Sequence, residues 1–171
     1  MVRQALFSSL ATKIPGCRFL DLFAGSGAVG LEAWSRDAGL VCWVESDVRT
    51  AGVLQGNIQT LCGQESGSEE GREWRTVKND AFRFLAGWQG LEPFDIIFAD
   101  PPYDRIGDKR TAHRLLEALA APGLVADEGF FVMEQSREEV EASHPSWDMV
   151  TAKAYGGTRL IIYRRRGNSE S

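Results

Sequence analysis

Phe19-Leu20-Asp21-Leu22-Phe23 runs directly into Ala24-Gly25-Ser26-Gly27-Ala28-Val29-Gly30. The apolar run reads as a buried strand, and the glycines behind it read as a tight turn into a helix over Val29 to Arg36. A strand that hands over to a helix this quickly calls for a crossover to a parallel neighbour, which points to an α/β architecture. The alternation continues downstream. Leu40 to Val44 reads as a second strand ending in Glu45-Ser46-Asp47. Asp47 is placed to cap the next helix, on which Ala51, Leu54, Ile58 and Leu61 share a face. Trp74 to Lys78 reads as a third strand, with a short helix behind it through Phe82, Leu85 and Ala86. Phe94 to Ala99 reads as a fourth. A helix from about Lys109 to Ala121 stops at Pro122-Gly123, and Phe130 to Met133 reads as a fifth strand.

The two ends are also legible. Val2 to Leu10 carries a helical stripe that Pro15-Gly16 breaks. Asp148 to Tyr155, Gly156-Gly157 and Arg159 to Arg164 read as two strands and a tight turn. A short helix is expected near Glu138 to Ala142, and Gly63 to Glu73 is expected to be an exposed, mobile loop. The expectation is an α/β fold with a doubly wound, mostly parallel seven-stranded sheet and one antiparallel strand at or near an edge. With 171 residues and no internal repeat, the chain is expected to form one domain, 1–171, able to bury its core without disulfides or metal.

Composition narrows the function classes. No apolar run is long enough to span a bilayer, and no signal peptide is expected, because no apolar h-region follows Met1-Val2-Arg3-Gln4. Cys17, Cys42 and Cys62 are odd in number and scattered. That favours a reducing, cytoplasmic setting with buried thiols, and neither a disulfide framework nor a zinc site. The net charge of −5 is unlike that of most nucleic-acid binders. A local positive face is still available from Arg105, Lys109, Arg110 and Arg114. Arg164-Arg165-Arg166 reads as solvated surface charge. Nothing indicates a dedicated interface, so a monomer is expected.

The chemistry concentrates at two strand ends. Gly25-Ser26-Gly27-Ala28-Val29-Gly30 matches G-x-G-x-x-G between a strand and a helix, and Glu45 ends the next strand. Glycines allow close backbone approach to a ligand, and a carboxylate at the second strand end can grip ribose hydroxyls. The pattern points to an adenosine-type cofactor. Asp21 precedes the glycines. Beside the pyrophosphate of a dinucleotide it would be repulsive, whereas beside the ammonium of a methionine moiety it is attractive. That favours S-adenosylmethionine over NAD. Asp80 is placed to accept from an adenine amino group, to cap the helix behind it, or both.

Asp100-Pro101-Pro102-Tyr103 follows the fourth strand. Two prolines fix φ and remove two donors, leaving a stiff ledge of carbonyls between an acid and a flat ring. Such a ledge suits a planar, amine-bearing base: the acid and a carbonyl accept N–H groups and the ring stacks. The same four residues also occur as a plain strand end and turn.

Taken in order, Asp21-Leu22-Phe23-Ala24-Gly25-Ser26-Gly27, Glu45, Asp80 and Asp100-Pro101-Pro102-Tyr103 resemble a class I S-adenosylmethionine-dependent N-methyltransferase with a Rossmann-like fold. The chain is more closely similar to the RsmD family of 16S rRNA guanine-N2 methyltransferases. Val2-Arg3-Gln4-Ala5-Leu6-Phe7 and Tyr155-Gly156-Gly157-Thr158 also fit that pattern. The resemblance implies a cofactor site at Asp21, Phe23, Gly25, Ser26 and Gly27, completed by Glu45, Ser46, Asp80 and Ala81. It implies a catalytic ledge at Asp100, Pro101, Pro102 and Tyr103, no metal, and 16S rRNA or the small ribosomal subunit as partner. Family members usually carry a basic segment and a β-hairpin upstream, and the resemblance places Val2 inside the helix that follows them, so that hairpin is expected to be absent here. DNA adenine-N6 and protein glutamine methylation suit the same ledge, and a non-catalytic RNA-binding or assembly module is the alternative of another class.

Overall fold

A computed structural model describes residues 2–63, 71–90, 92–102 and 110–167. Its strands are β1 (Arg18–Leu22), β2 (Leu40–Glu45), β3 (Glu73–Lys78), β4 (Phe94–Ala99), β5 (Val125–Ser136), β6 (Trp147–Tyr155) and β7 (Thr158–Arg165). Its helices are α1 (Val2–Ser9), α2 (Ala28–Ser35), α3 (Val48–Cys62), α4 (Ala81–Ala86) and α5 (Thr111–Leu119). The strands form one sheet in the order β3-β2-β1-β4-β5-β7-β6. β1 through β5 pair in parallel. β7 runs antiparallel to both of its neighbours, β5 and β6. One strand is therefore reversed, next to the edge, as the closing hairpin implied.

The alternation of side chains along β1 explains the layering. Phe19 faces a cluster with Leu6 and Phe7 of α1, Trp34 of α2 and Leu54 and Ile58 of α3. Leu20 and Leu22 face the other way, towards Phe84 and Leu85 of α4 and Leu115, Leu116 and Leu119 of α5. Both faces of the central strands are covered, which is why β2 and β4 read as continuous apolar runs. Cys17, Cys42 and Cys62 are buried free thiols, and burial pushes the thiols of Cys17 and Cys42 up to about 12. Among the described residues no helix is long and apolar enough to cross a membrane and no group of side chains could hold a metal ion.

Three local expectations change. Phe23 leaves the strand with φ 57°, because the chain turns two residues before Gly25. β5 begins at Val125 and not at Phe130, with an irregular register against β4 between Phe94 and Ile96 and Glu128 at φ 62°. A bulge of this kind lets a polar Asp127-Glu128-Gly129 sit inside a strand. Residues 138–142 form no helix: a turn at Arg137 and Glu138 runs into an irregular segment. The Arg137 N–H bonds the Gly157 carbonyl, and the Arg159 guanidinium donates to the carbonyls of Arg137 and Glu139. Those carbonyls are thus drawn away from any helical ladder. Of the expected loop, residues 64–70 lie outside the described residues, while Glu73 already belongs to β3.

Arg164, Arg165 and Arg166 do more than face solvent. Arg165 donates to the carbonyls of Leu119, Ala120 and Ala121, satisfying the open end of α5. Arg166 pairs with Asp148 at 2.8 Å and Arg164 lies 3.9 Å from Glu128. Arg114 stacks 4.1 Å over the Phe82 ring, and Arg105 and Lys109 lie outside the described residues.

Candidate active site

The turn after β1 is held from three sides. Asp21, only 2% exposed, accepts the Gly30 N–H through Oδ2 at 2.9 Å. Glu45, at the end of β2, accepts the Gly25 N–H through Oε2 at 2.9 Å and the Asp47 N–H through Oε1 at 2.8 Å. Asn57 of α3 donates to the Ser26 carbonyl at 2.9 Å. The Trp43 indole N–H reaches the Gly27 carbonyl at 3.2 Å.

The three glycines have different physical jobs. Gly25 has φ 57° and open space where a side chain would stand. A Cβ at Gly27 would collide with Leu54, and a Cβ at Gly30 would collide with the Trp43 indole. Gly27 and Gly30 therefore let α2 close onto β2 and α3, while Gly25 leaves its surroundings open to a ligand. Sequence reasoning missed Trp43 and Asn57. A large aromatic on a buried strand opposite a glycine-rich helix is a usable signal for the first; nothing local marked the second.

Asp80 ends the turn after β3. Its Oδ1 accepts the Arg83 N–H at 3.0 Å, so the capping role is real. Ala81 behind it is buried, and Ser46 is exposed beside Glu45. Phe23 is half-buried against the α4–α5 cluster.

Asp100-Pro101-Pro102 lies at the same end of the sheet. β1 and β4 are paired neighbours, with Leu22 opposite Ala99. Asp100 therefore emerges beside Phe23, two residues before Gly25. Asp100 is exposed and Pro101 is buried beneath it. Tyr103 lies outside the described residues.

The electrostatics bind these acids into one group. Burial is the main cause that raises the Asp21 carboxyl to about 8, with Asp100 and Glu45 adding to it by charge repulsion. Desolvation raises Asp100 above the usual carboxylate range. Glu134 of β5 is raised by desolvation and then by Asp100. Sequence reasoning missed Glu134, which reads locally as one polar residue in an edge-like run. A site where carboxylates crowd together is poorly suited to a phosphate and well suited to a cation.

The family model "Conserved hypothetical protein 95" matches residues 1–164. The ribosomal RNA small subunit methyltransferase D of Escherichia coli strain K12 is 34% identical over 171 residues, covering 99% of this chain and 79% of that protein. The chain belongs to the RsmD family of S-adenosylmethionine-dependent methyltransferases. Its RsmD relative of the same name from Haemophilus influenzae is 28% identical over 95% of this chain and 78% of that one. An Escherichia coli structure described as the methyltransferase yhhF superposes with a TM-score of 0.81 at 32% identity, covering 98% of this chain and 85% of that chain. The expected Rossmann-like methyltransferase architecture is thus found in sheet order and in structural likeness alike.

Proposed function

We propose that the chain transfers a methyl group from S-adenosylmethionine to the exocyclic N2 amine of a guanine in 16S ribosomal RNA. The observation that carries this reading is the meeting of two features at one end of the sheet. Asp100-Pro101-Pro102 emerges beside the Asp21–Gly30 turn, and Asp100 and Glu45 both repel a charge on Asp21. The small-subunit rRNA methyltransferase D named above supports the choice of substrate.

The residues present fit the cofactor. Asp21 would attract its ammonium, Glu45 has lone pairs left for ribose hydroxyls beyond the two N–H groups it accepts, and Asp80 would accept from the adenine amine. Phe23, Gly25, Ser26, Gly27, Ser46 and Ala81 would line the same site. When bound, S-adenosylmethionine supplies an electrophilic methyl carbon on a sulfonium.

The chain's own residues prepare the amine. Asp100 and the Pro101 carbonyl accept the two N2 hydrogens and turn the nitrogen lone pair out of conjugation. As positive charge grows on that nitrogen, the Asp100 carboxylate favours it, an effect worth roughly 3 kcal/mol for a preorganised group. Orientation adds to this. Asp100 is also placed to take the proton the nitrogen must lose. Tyr103 would stack on the base once it is splayed from its helix or loop. No side-chain nucleophile is required. The chain would act as one domain, as a monomer, in the cytoplasm, where its three buried thiols stay reduced.

Radiolabelled S-adenosylmethionine incubated with RNA, DNA and protein fractions tests the proposal. Label is expected in small-subunit rRNA; label confined to DNA or to protein would overturn it.

A further inference from the structure

Glu134 is a charged residue that the fold itself does not explain. It lies in β5 between the buried Met133 and Gln135, and opposite the buried Leu160 of β7. Its carboxylate makes no hydrogen bond or ion pair with another described residue. β4 and β5 pair in parallel with Ala99 opposite Met133, so the next positions, Asp100 and Glu134, stand side by side. They also share a face. Phe98 and Val132, each two residues earlier, both pack into the cluster under α1, α2 and α3. Like charges side by side on neighbouring strands destabilise a sheet. The pairing is accounted for if both carboxylates meet hydrogen-bond donors from a ligand.

We infer that Glu134 is the specificity-determining residue that selects guanine, accepting the N1–H while Asp100 accepts from N2. The inference rests on the guanine-N2 reading above. Adjacent strands are about 4.8 Å apart, a spacing from which two flexible acids can converge on one base edge. Guanine presents two neighbouring donors there, N1–H and the N2 amine. Adenine presents the N6 amine next to an N1 lone pair, and a glutamine amide presents its amine next to a carbonyl. Either would set a lone pair against the Glu134 carboxylate. Paired acceptors therefore admit guanine and reject the other two amines, by the same logic with which an unpaired polar group in a site rejects the wrong substrate.

The test uses small-subunit rRNA in which the mapped target guanosine is replaced by 2-aminopurine riboside. That base keeps the N2 amine but has a lone pair at N1. The wild-type chain is expected to prefer guanosine in kcat/KM by on the order of 10²-fold or more. Glu134→Gln, whose amide can donate to that lone pair, is expected to lose on the order of 10-fold on guanosine and to bring the two substrates within about 10-fold of each other. Glu134→Ala should also narrow the ratio, and calorimetric affinity for S-adenosylhomocysteine should stay near wild type in both variants. A wild-type ratio retained by both variants overturns the role of Glu134. An equal loss on both bases, with the ratio unmoved, overturns it too. If the wild-type chain places no methyl on guanine N2, the underlying reading fails instead, so the two failures are distinct.

Discussion

The Asp21 carboxylate accepts the Gly30 N–H at 2.9 Å, tying the end of β1 to the first turn of α2. That single neutral donor does not offset the desolvation of a carboxylate 2% exposed, and the carboxyl rises from 3.8 to about 8. Between those values the native state holds a proton that the unfolded chain has released. Stability from this group is full below pH 4 and is lost as pH rises through about 8. Thermal unfolding of the ligand-free chain should therefore show a stability contribution that declines from pH 5 to pH 8. Asp21→Asn should remove that decline and be the more stable chain at pH 8. A wild-type and variant difference that does not vary with pH would show that Asp21 is charged throughout.

A cation brought next to Asp21 favours its charged form. Binding of S-adenosylmethionine near pH 7 should thus release a proton, and affinity should rise with pH through the range where Asp21 is otherwise protonated. Calorimetry in buffers of different ionisation enthalpy reads this directly. Buffer-independent heats would separate Asp21 from the cofactor's ammonium.

Glu45 carries two backbone N–H groups and is proposed to carry ribose hydroxyls as well. Glu45→Ala should weaken cofactor binding by on the order of 10-fold or more, since lost charge-assisted hydrogen bonds are worth roughly 1.5–3 kcal/mol each. Unchanged calorimetric affinity would remove Glu45 from the site.

Gly30 packs its α-carbon against the Trp43 indole. Gly30→Ala forces that ring or α2 to shift, and denaturant unfolding should show a loss of about 1–3 kcal/mol, typical of overpacking. A stabilised variant, as expected for alanine in an open helix, would mean the contact relaxes freely.

Much of this was legible because it is local. Phe19 to Gly30 specifies strand, turn and helix within one stretch, and the Asp100-Pro101-Pro102 corner is stiff whatever surrounds it. Asp47 caps α3 through the Thr50 N–H and hydroxyl, as its position foretold. What stayed hidden depends on distant partners. The non-helical path of residues 138–142 is set by Arg159, twenty residues beyond Glu139. Glu134 gains its meaning only when β5 is laid beside β4, and the role of Trp43 only when α2 closes over it. Asp21 showed its acidity in the sequence, whereas its near-complete burial required the helix on one side and the sheet on the other.

Asp100→Ala should lower kcat for methyl transfer by about 10²–10³-fold while leaving cofactor affinity near wild type, because the residue is assigned to the substrate amine. The wild-type rate should fall as pH drops through the raised Asp100 range, and Asp100→Asn should abolish that limb. Near-normal turnover in Asp100→Ala would remove the acid from the chemistry.

The most direct measurement is mass mapping of methyl groups on small-subunit rRNA, with the wild-type chain, with Asp100→Ala and with no protein. One added methyl on the N2 of a guanine, present only with the wild-type chain, is the predicted result. A methyl that also arises with Asp100→Ala, or an rRNA left unmodified while DNA or protein gains the label, would contradict the account.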